Sequence, residues 1–205
     1  MAEKKETKPE KKEKKTARGL AYFLRQAWKK PDVELSRKRM IEWRKGDTII
    51  KVEKPLRLDR ARALGYKAKT GVTVVRIRIL RGGRKKSRPR KGRRTKRMGI
   101  RKVLKMNYKE VAEQRVARKH RNMEIVGSYQ IGKDGIHYFY EVILADRARK
   151  EIQKDKQLGP LVRSAKGKAF RGLTSSGKKA RGLRNSAVKV PKVRPSLRAN
   201  RRRGN

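Results

Sequence analysis

Phosphate is the group that the side chains of this sequence are best equipped to meet. From Arg60 to Lys109, and again from Lys156 to Asn205, run two fifty-residue stretches without a single Asp or Glu, carrying 21 and 16 Lys or Arg. In the first, Arg76 and Arg78 alternate along an apolar run. Arg81, Arg84, Lys85, Lys86, Arg88, Arg90, Lys91, Arg93, Arg94, Lys96 and Arg97 then supply eleven of the seventeen residues from Arg81 to Arg97. The second stretch holds Arg171, Lys178, Lys179, Arg181, Arg184, Arg194 and Arg198. Cations within reach of closely spaced phosphates release counterions, so binding is strong and salt-sensitive. Gly82, Gly83 and Gly92 let backbone amides approach the same anions. Subtracting these 37 charges from the net +47 leaves +10 for the other 105 residues. A surface built only for solubility mixes both signs, so removing one of them over such a length points to close contact with a large polyanion.

Other chemistry finds no constellation. GSYQIGKD from Gly127 and GLTSSGKK from Gly172 approach a phosphate-cradling P-loop, but Asp134 and Lys179 stand where a Ser or Thr would hold magnesium. The first also lies in a hairpin, and the second in an unpatterned segment. Glu110 and Glu113 read as helix-face or capping charges rather than an acid and base pair. His120 sits beside Lys119 and Arg121, which depress its basicity, and His137 alternates outward in a strand; neither forms a triad. With no Cys and two His, neither a disulfide framework nor an all-histidine metal site is available. The reading is therefore no catalysis, no metal, no cofactor and no small-molecule substrate. Aromatic side chains offer a second route to nucleic acid, because exposed bases stack on flat rings. Tyr66, between Gly65 and Lys67, can stack a base or pack inward, and both readings stay open. Tyr138 and Tyr140 alternate as core residues, leaving Phe139 on the other face.

The elements that must position these residues follow from periodicity. Leu20, Phe23, Leu24, Ala27 and Trp28 predict a helix that stops before Pro31, and Asp32 can cap a second helix running toward Arg44. A short strand spans Ile49 to Val52, and Asp59 looks like the cap of a short helix that Gly65 ends. VTVVRIRIL from Val72 sets Val75, Ile77 and Ile79 on one face and the two arginines on the other. It runs into the basic loop, 81–106, where Gly and Pro prevent any regular element. Asn107 and Glu110 resemble a capping box opening a helix with Tyr108, Val111, Ala112 and Val116 on its apolar stripe. A hairpin follows, with Asp134 and Gly135 in a two-residue turn that pairs Ile131 with Tyr138, Tyr129 with Tyr140 and Ile125 with Leu144. Both apolar series then share one face. A last helix runs from about Asp146 to Lys154.

The fold class expected is α+β: a small antiparallel sheet of about four strands packed with helices, plus the long basic internal loop and an extended C-terminal tail. Only 35% of the residues are hydrophobic and 40% are charged, which limits the chain to one modest core. Residues 1–16 alternate Lys with Glu and read as a disordered tail, 17–155 as the globular domain, and 156–205 as an extension with no fold of its own. The N-terminus lacks the apolar run of a signal peptide, and no stretch approaches the length of a membrane helix, so the protein is expected to be soluble, intracellular and free of membrane.

Several long motifs in one order now carry a resemblance: RLDRARALGYKAKTGV from Arg57, GRRTKRMG from Gly92, VAEQRVAR from Val111, GSYQIGKDG from Gly127, YEVILAD from Tyr140, FRGLTSSGKKARGL from Phe170 and RPSLRAN from Arg194. From about Ala17 to Asn200 the chain closely resembles the L-fifteen-e family of archaeal and eukaryotic large-subunit ribosomal proteins, in a form similar to archaeal members. The resemblance implies a structural and assembly role in the cytoplasmic ribosome, with large-subunit (23S-type) ribosomal RNA and neighbouring large-subunit ribosomal proteins as partners. It implies RNA contacts at Tyr66, Lys67 and Lys69, at Arg93, Arg94, Lys96 and Arg97, and at Arg171, Lys178, Lys179 and Arg181. Two other classes compete. A chromatin-like DNA binder would place its cations on a compact surface facing a regular duplex, whereas long cationic segments suit irregular RNA cavities. An RNA-processing enzyme lacks the residues to do the work.

Overall fold

The structure is a computed structural model that describes residues 18–85, 101–102, 104, 106–164 and 166–184. The basic run 86–100, the Lys/Glu tail and residues 185–205 lie outside the described residues. The chain divides into two units, one ending at Pro31 and one beginning at Asp32. In the first, helix α1 (Leu20–Lys29) runs from Gly19 to a stop just before Pro31, where the sequence pattern placed it. The Arg18 guanidinium caps Tyr22, donating to its hydroxyl at 2.7 Å and lying 4.6 Å from its ring centre.

The second unit begins with α2 (Val33–Lys45), whose Asp32 cap accepts from the Glu34 N–H at 3.0 Å. Strand β1 (Ile49–Val52), helix α3 (Leu58–Ala63) and strand β2 (Val72–Leu80) follow. Asp59 is not the cap of α3. Arg57 holds that position, while Asp59 is buried inside the first turn, 3.4 Å from the Arg57 guanidinium. Gly65 ends the helix at φ +96°, a conformation that costs glycine nothing.

The basic loop expected to be wholly irregular is a ribbon at its base. Strand β3 (Arg84–Lys85) pairs antiparallel with β4 (Arg101–Lys102), which sets the two ends of the cationic run side by side. Helix α4 (Tyr108–Lys119) starts on Asn107, whose side-chain oxygen accepts from the Glu110 N–H at 2.7 Å. Strands β5 (Met123–Lys133) and β6 (His137–Asp146) complete a four-stranded antiparallel sheet in the order β1-β2-β6-β5. The helices and this sheet make the molecule α+β.

The hairpin register departs from the sequence reading. Ile125 pairs with Leu144 as expected, but Tyr129 opposes Glu141 and Lys133 opposes Tyr138, because the ladder shifts between Ile125 and Gly127 and again between Gln130 and Gly132. Each shift is a β-bulge, and a one-residue slip turns every later side chain to the other face. Tyr129 and Ile131 therefore leave the face of Ile125. They join Phe139, Ile143, Trp43 of α2 and Ala61 of α3 in one core, while Val75, Ile77, Ile79, Ile125, Tyr140, Val142 and Leu144 pack under Ala112 and Val116 of α4 in another. The sheet is thus covered on both faces, and β6 is buried along most of its length.

The extension is corrected as well. Residues 156–184 carry two short helices, α6 (Gly159–Arg163) and α7 (Ser175–Ala180), which follow a single turn of helix, α5 (Lys150–Gln153), that replaces the longer helix expected from Asp146. Leu158 and Val162 close a third cluster with Ala145 and Ile152, and Ala169 enters the core under α4.

Candidate nucleic-acid interface

Inside the domain, carboxylates hold the acid-free segments in place. Glu113 on α4 is 1% exposed and accepts hydrogen bonds from the hydroxyls of Ser128 on β5 and Ser176 on α7. Asn107 adds a bond from its side-chain amide to the Ser176 carbonyl at 3.0 Å. Glu124 accepts from the backbone N–H groups of Gly167 and Lys168 at 3.4 and 3.1 Å, with the Arg147 guanidinium 3.6 Å away. Asp155 accepts from Lys67 Nζ at 2.8 Å, from Lys69 Nζ at 3.1 Å, and from the N–H groups of Gln157 and Leu158. The Lys67 ammonium first, then these other donors, hold its carboxyl well below the usual range. Glu141 accepts from the Tyr129 hydroxyl at 2.6 Å and the Leu56 N–H at 3.1 Å, in a site whose burial pushes its carboxyl up. These negative charges face inward and hold the fold.

The two acid-free stretches meet in a cationic field around Lys109. Burial lowers Lys109 from its ordinary value, Glu113 opposes that, and the positive charges of Arg60, Arg184 and Lys179 lower it further. Arg60 belongs to the first stretch and Lys179 and Arg184 to the second, so segments more than a hundred residues apart in sequence share one field. Lys168 behaves alike: burial lowers it, Glu124 raises it, and Arg147, Arg171 and Lys178 lower it. Burial is the larger cause in both, and the cationic neighbours that add to it make a field that a polyanion would relieve.

The sequence-predicted residues divide on this map. Lys179 and Arg184 are exposed in the field of Lys109, Lys178 is exposed in that of Lys168, and Arg171 is exposed while donating to the Lys166 carbonyl at 3.0 Å. Arg181 is half-buried and donates to the Gly172 carbonyl at 3.3 Å. Arg76 and Arg78 are not an open cationic face. The Arg76 guanidinium lies 5.1 Å from the Trp43 ring centre, and Arg78 donates to the carbonyls of Trp43 and Arg44 in the last turn of α2. Helix α2 crosses the very face that strand alternation assigns to solvent. Arg81 is exposed over the Tyr138 ring at 5.1 Å and donates to the Asp134 carbonyl. Tyr66 turns toward the core of Trp43 and Ala61. Arg84 and Lys85 lie in the ribbon. Lys86, Arg88, Arg90, Lys91, Arg93, Arg94, Lys96 and Arg97, with Arg194 and Arg198, lie outside the described residues.

Sequence reasoning passed over Arg60, Lys109, Arg147 and Lys168. Arg60 and Lys109 are the two ends of the first acid-free stretch and Lys168 lies within the second, signals that were visible, whereas Arg147 lies near the second stretch only in space. His120 behaves as its neighbours imply: burial, then Lys119 and Lys51, lower its basicity. Among the described residues no group of three or more His, Cys, Asp or Glu is placed to hold a metal, and no helix is long and apolar enough to cross a membrane.

Comparison with known proteins agrees with the basic architecture. The profile of the family described as Ribosomal L15 matches residues 19–200. Large ribosomal subunit protein eL15 of Methanocorpusculum labreanum is 46% identical over 193 residues, covering 92% of this chain and 99% of that relative. The proteins of the same name from Methanocella arvoryzae and Methanospirillum hungatei are each 46% identical, over 89% and 91% of this chain and 96% and 98% of their own lengths. With the match running from α1 through the docked extension and beyond, the chain belongs to the ribosomal L15e family.

Proposed function

We propose that the protein is a structural constituent of the large ribosomal subunit, resident in the cytoplasmic ribosome, where it binds and stabilises folded large-subunit RNA and supports assembly. The observation that carries the reading is the convergence of both acid-free stretches around Lys109, where Glu113, the carboxylate that acts on it, is bonded to Ser128 and Ser176. Such an arrangement concentrates positive charge from three separate helices at one place, which suits phosphates brought together by RNA tertiary folding rather than a regular duplex. The names of the relatives above, all large-subunit ribosomal proteins, support it further.

The test is sedimentation of cell extract at physiological salt together with binding to large-subunit RNA as salt is varied. Co-sedimentation with large subunits is expected, and affinity is expected to fall about a thousandfold or more between 50 and 200 mM salt if six or more phosphates are engaged. A protein found free of large subunits, or one that binds duplex DNA as tightly as folded ribosomal RNA, would refute the proposal.

A further inference from the structure

Phe170 is 48% exposed, although its neighbour Ala169 is 2% exposed and locked into the core under α4. The turn that carries it is closed by backbone bonds from Phe170 N–H and Arg171 N–H to the Gly167 carbonyl, at 3.1 and 3.3 Å, and from Leu173 N–H to the Lys168 carbonyl at 3.0 Å. Glu124 holds the start of the same turn. The ring is therefore displayed on a fixed platform rather than on a loose loop. Below it opens a cleft of about 190 Å³ with apolar walls from Ala117, Met123, Ile125 and Ala169. That volume holds several waters but falls short of the roughly 300–1,000 Å³ of drug-sized ligand sites, so its occupant is no larger than a small ring system.

The charge around the cleft selects among such occupants. Arg118 lies over the Phe170 ring at 5.9 Å, Arg121 and Lys166 line the rim, and Glu124, the carboxylate in the wall, is already spent on Gly167, Lys168 and Arg147. A contiguous open depression continues past Arg118, Lys119 and Arg121 to Asp146. An apolar peptide side chain would gain nothing from these cations. A nucleobase carries its own phosphates, its flat face stacks on Phe and on guanidinium planes, and those phosphates would meet the arginines.

We infer that this cleft takes one unpaired nucleobase of the bound RNA, stacked on Phe170, with the adjoining phosphates against Arg118, Lys119 and Arg121. The inference rests on the RNA-binding reading above and adds a base contact to a surface otherwise made of phosphate contacts.

The test uses the full-length protein and a large-subunit RNA transcript, with Phe170→Leu removing the stack but keeping apolar bulk, and Phe170→Trp keeping the stack. Because the ring is exposed, both variants are expected to unfold thermally as the parent does. Phe170→Leu is expected to bind about tenfold more weakly with an unchanged salt slope, as for a lost base stack, while Phe170→Trp binds like the parent. Ultraviolet irradiation of the parent complex is expected to join a nucleotide to the peptide containing Phe170. Parent-like binding by Phe170→Leu, or crosslinks that all avoid this peptide, would overturn the inference while leaving RNA binding intact. A parent protein that ignores the transcript would sink both readings together.

Discussion

Lys67 reaches Asp155, the last carboxylate of the chain, with its Nζ 2.8 Å from Oδ2, so the opening of one acid-free stretch is tied to the residue that precedes the other. Lys69 joins the same carboxylate at 3.1 Å. This contact makes Asp155 a clasp between the loop after α3 and the turn that starts the extension.

Asp155→Asn keeps an oxygen for the N–H groups of Gln157 and Leu158 but loses the charge that both lysines need. Because the folded carboxyl is held below its ordinary value, its stabilisation is present above about pH 4 and is lost as pH falls through the carboxylate range. The variant is expected to show a shallower loss of stability between about pH 5 and pH 2, read by acid unfolding. It is also expected to steepen the salt slope of RNA binding by up to about two, as two lysines become available for phosphates.

Glu113→Ala removes the acceptor of two buried hydroxyls, those of Ser128 and Ser176. A buried donor without a partner costs about 1–3 kcal/mol, and Ser176 keeps Thr174 Oγ1 at 3.2 Å, so a total loss of about 2–3 kcal/mol is expected. Urea unfolding measures the loss, and faster proteolysis between residues 175 and 184 shows that it falls on the docking of α7.

Tyr129 and Tyr140 give the fold an alkaline limit. Burial pushes Tyr140 up to about 12, and burial with the charge and hydrogen bond of Glu141 pushes Tyr129 up further. Both groups resist ionisation in the folded state, so the unfolded chain gives up protons first, and stability is expected to fall as pH rises from about 10 toward 12. In a spectrophotometric titration, these two are expected to ionise only as the chain unfolds, and Tyr129→Phe is expected to remove part of the step.

Lys178 and Arg78 separate a binding cation from a structural one. Lys178→Ala is expected to lower the salt slope of RNA binding by about one while leaving stability unchanged, because its ammonium is exposed in the field of Lys168. Arg78→Ala is expected to leave the slope alone and cost about 1 kcal/mol, because its guanidinium serves the C-terminal carbonyls of α2. Salt titrations and thermal unfolding on both variants check the pair.

The same contrast marks what the sequence made legible. Strand β2 and the stripe of α4 were readable because period-two and 3.6-residue apolar spacing survive any tertiary context. The hairpin pattern misled because it assumed an unbroken ladder, although Gly127 and Gly132 stood within it as a warning. A Cβ at Gly127 would meet Leu64 at 3.2 Å, and one at Gly132 would meet Trp43 at 3.4 Å; both glycines mark close approach by helices on the second face. The sequence could not announce that face, since its contributors, Trp43, Ala61 and Phe139, come from three separate elements. The extension hid its fold for a different reason. It is anchored by serine hydroxyls, glycine contacts and backbone N–H groups rather than by an apolar stripe, so charge density looked like absence of structure. The cationic site was legible as composition, and its meeting point at Lys109 was not.

Gly177→Ala tests that hidden anchoring most directly. A Cβ at residue 177 would stand 2.6 Å from the Gly172 Cα and 2.8 Å from its carbonyl carbon, and backbone cannot step aside as a flexible side chain could. Gly172 itself sits at φ +64° with the Arg181 side chain laid across it, so the turn has little room to reshape. The added methyl must therefore push α7 off the turn, breaking the Ser176 bond to Glu113 and the Asn107 bond to the Ser176 carbonyl. The sheet and its two cores do not depend on α7, so circular dichroism is expected to keep its strand signal. Amide exchange from 175 to 184 is expected to accelerate, and affinity for large-subunit RNA to fall by about tenfold or more, because Lys179 and Arg184 no longer stand beside Lys109. Unchanged exchange in that segment would mean that α7 tolerates the methyl and that its approach to Gly172 is not what seats the extension.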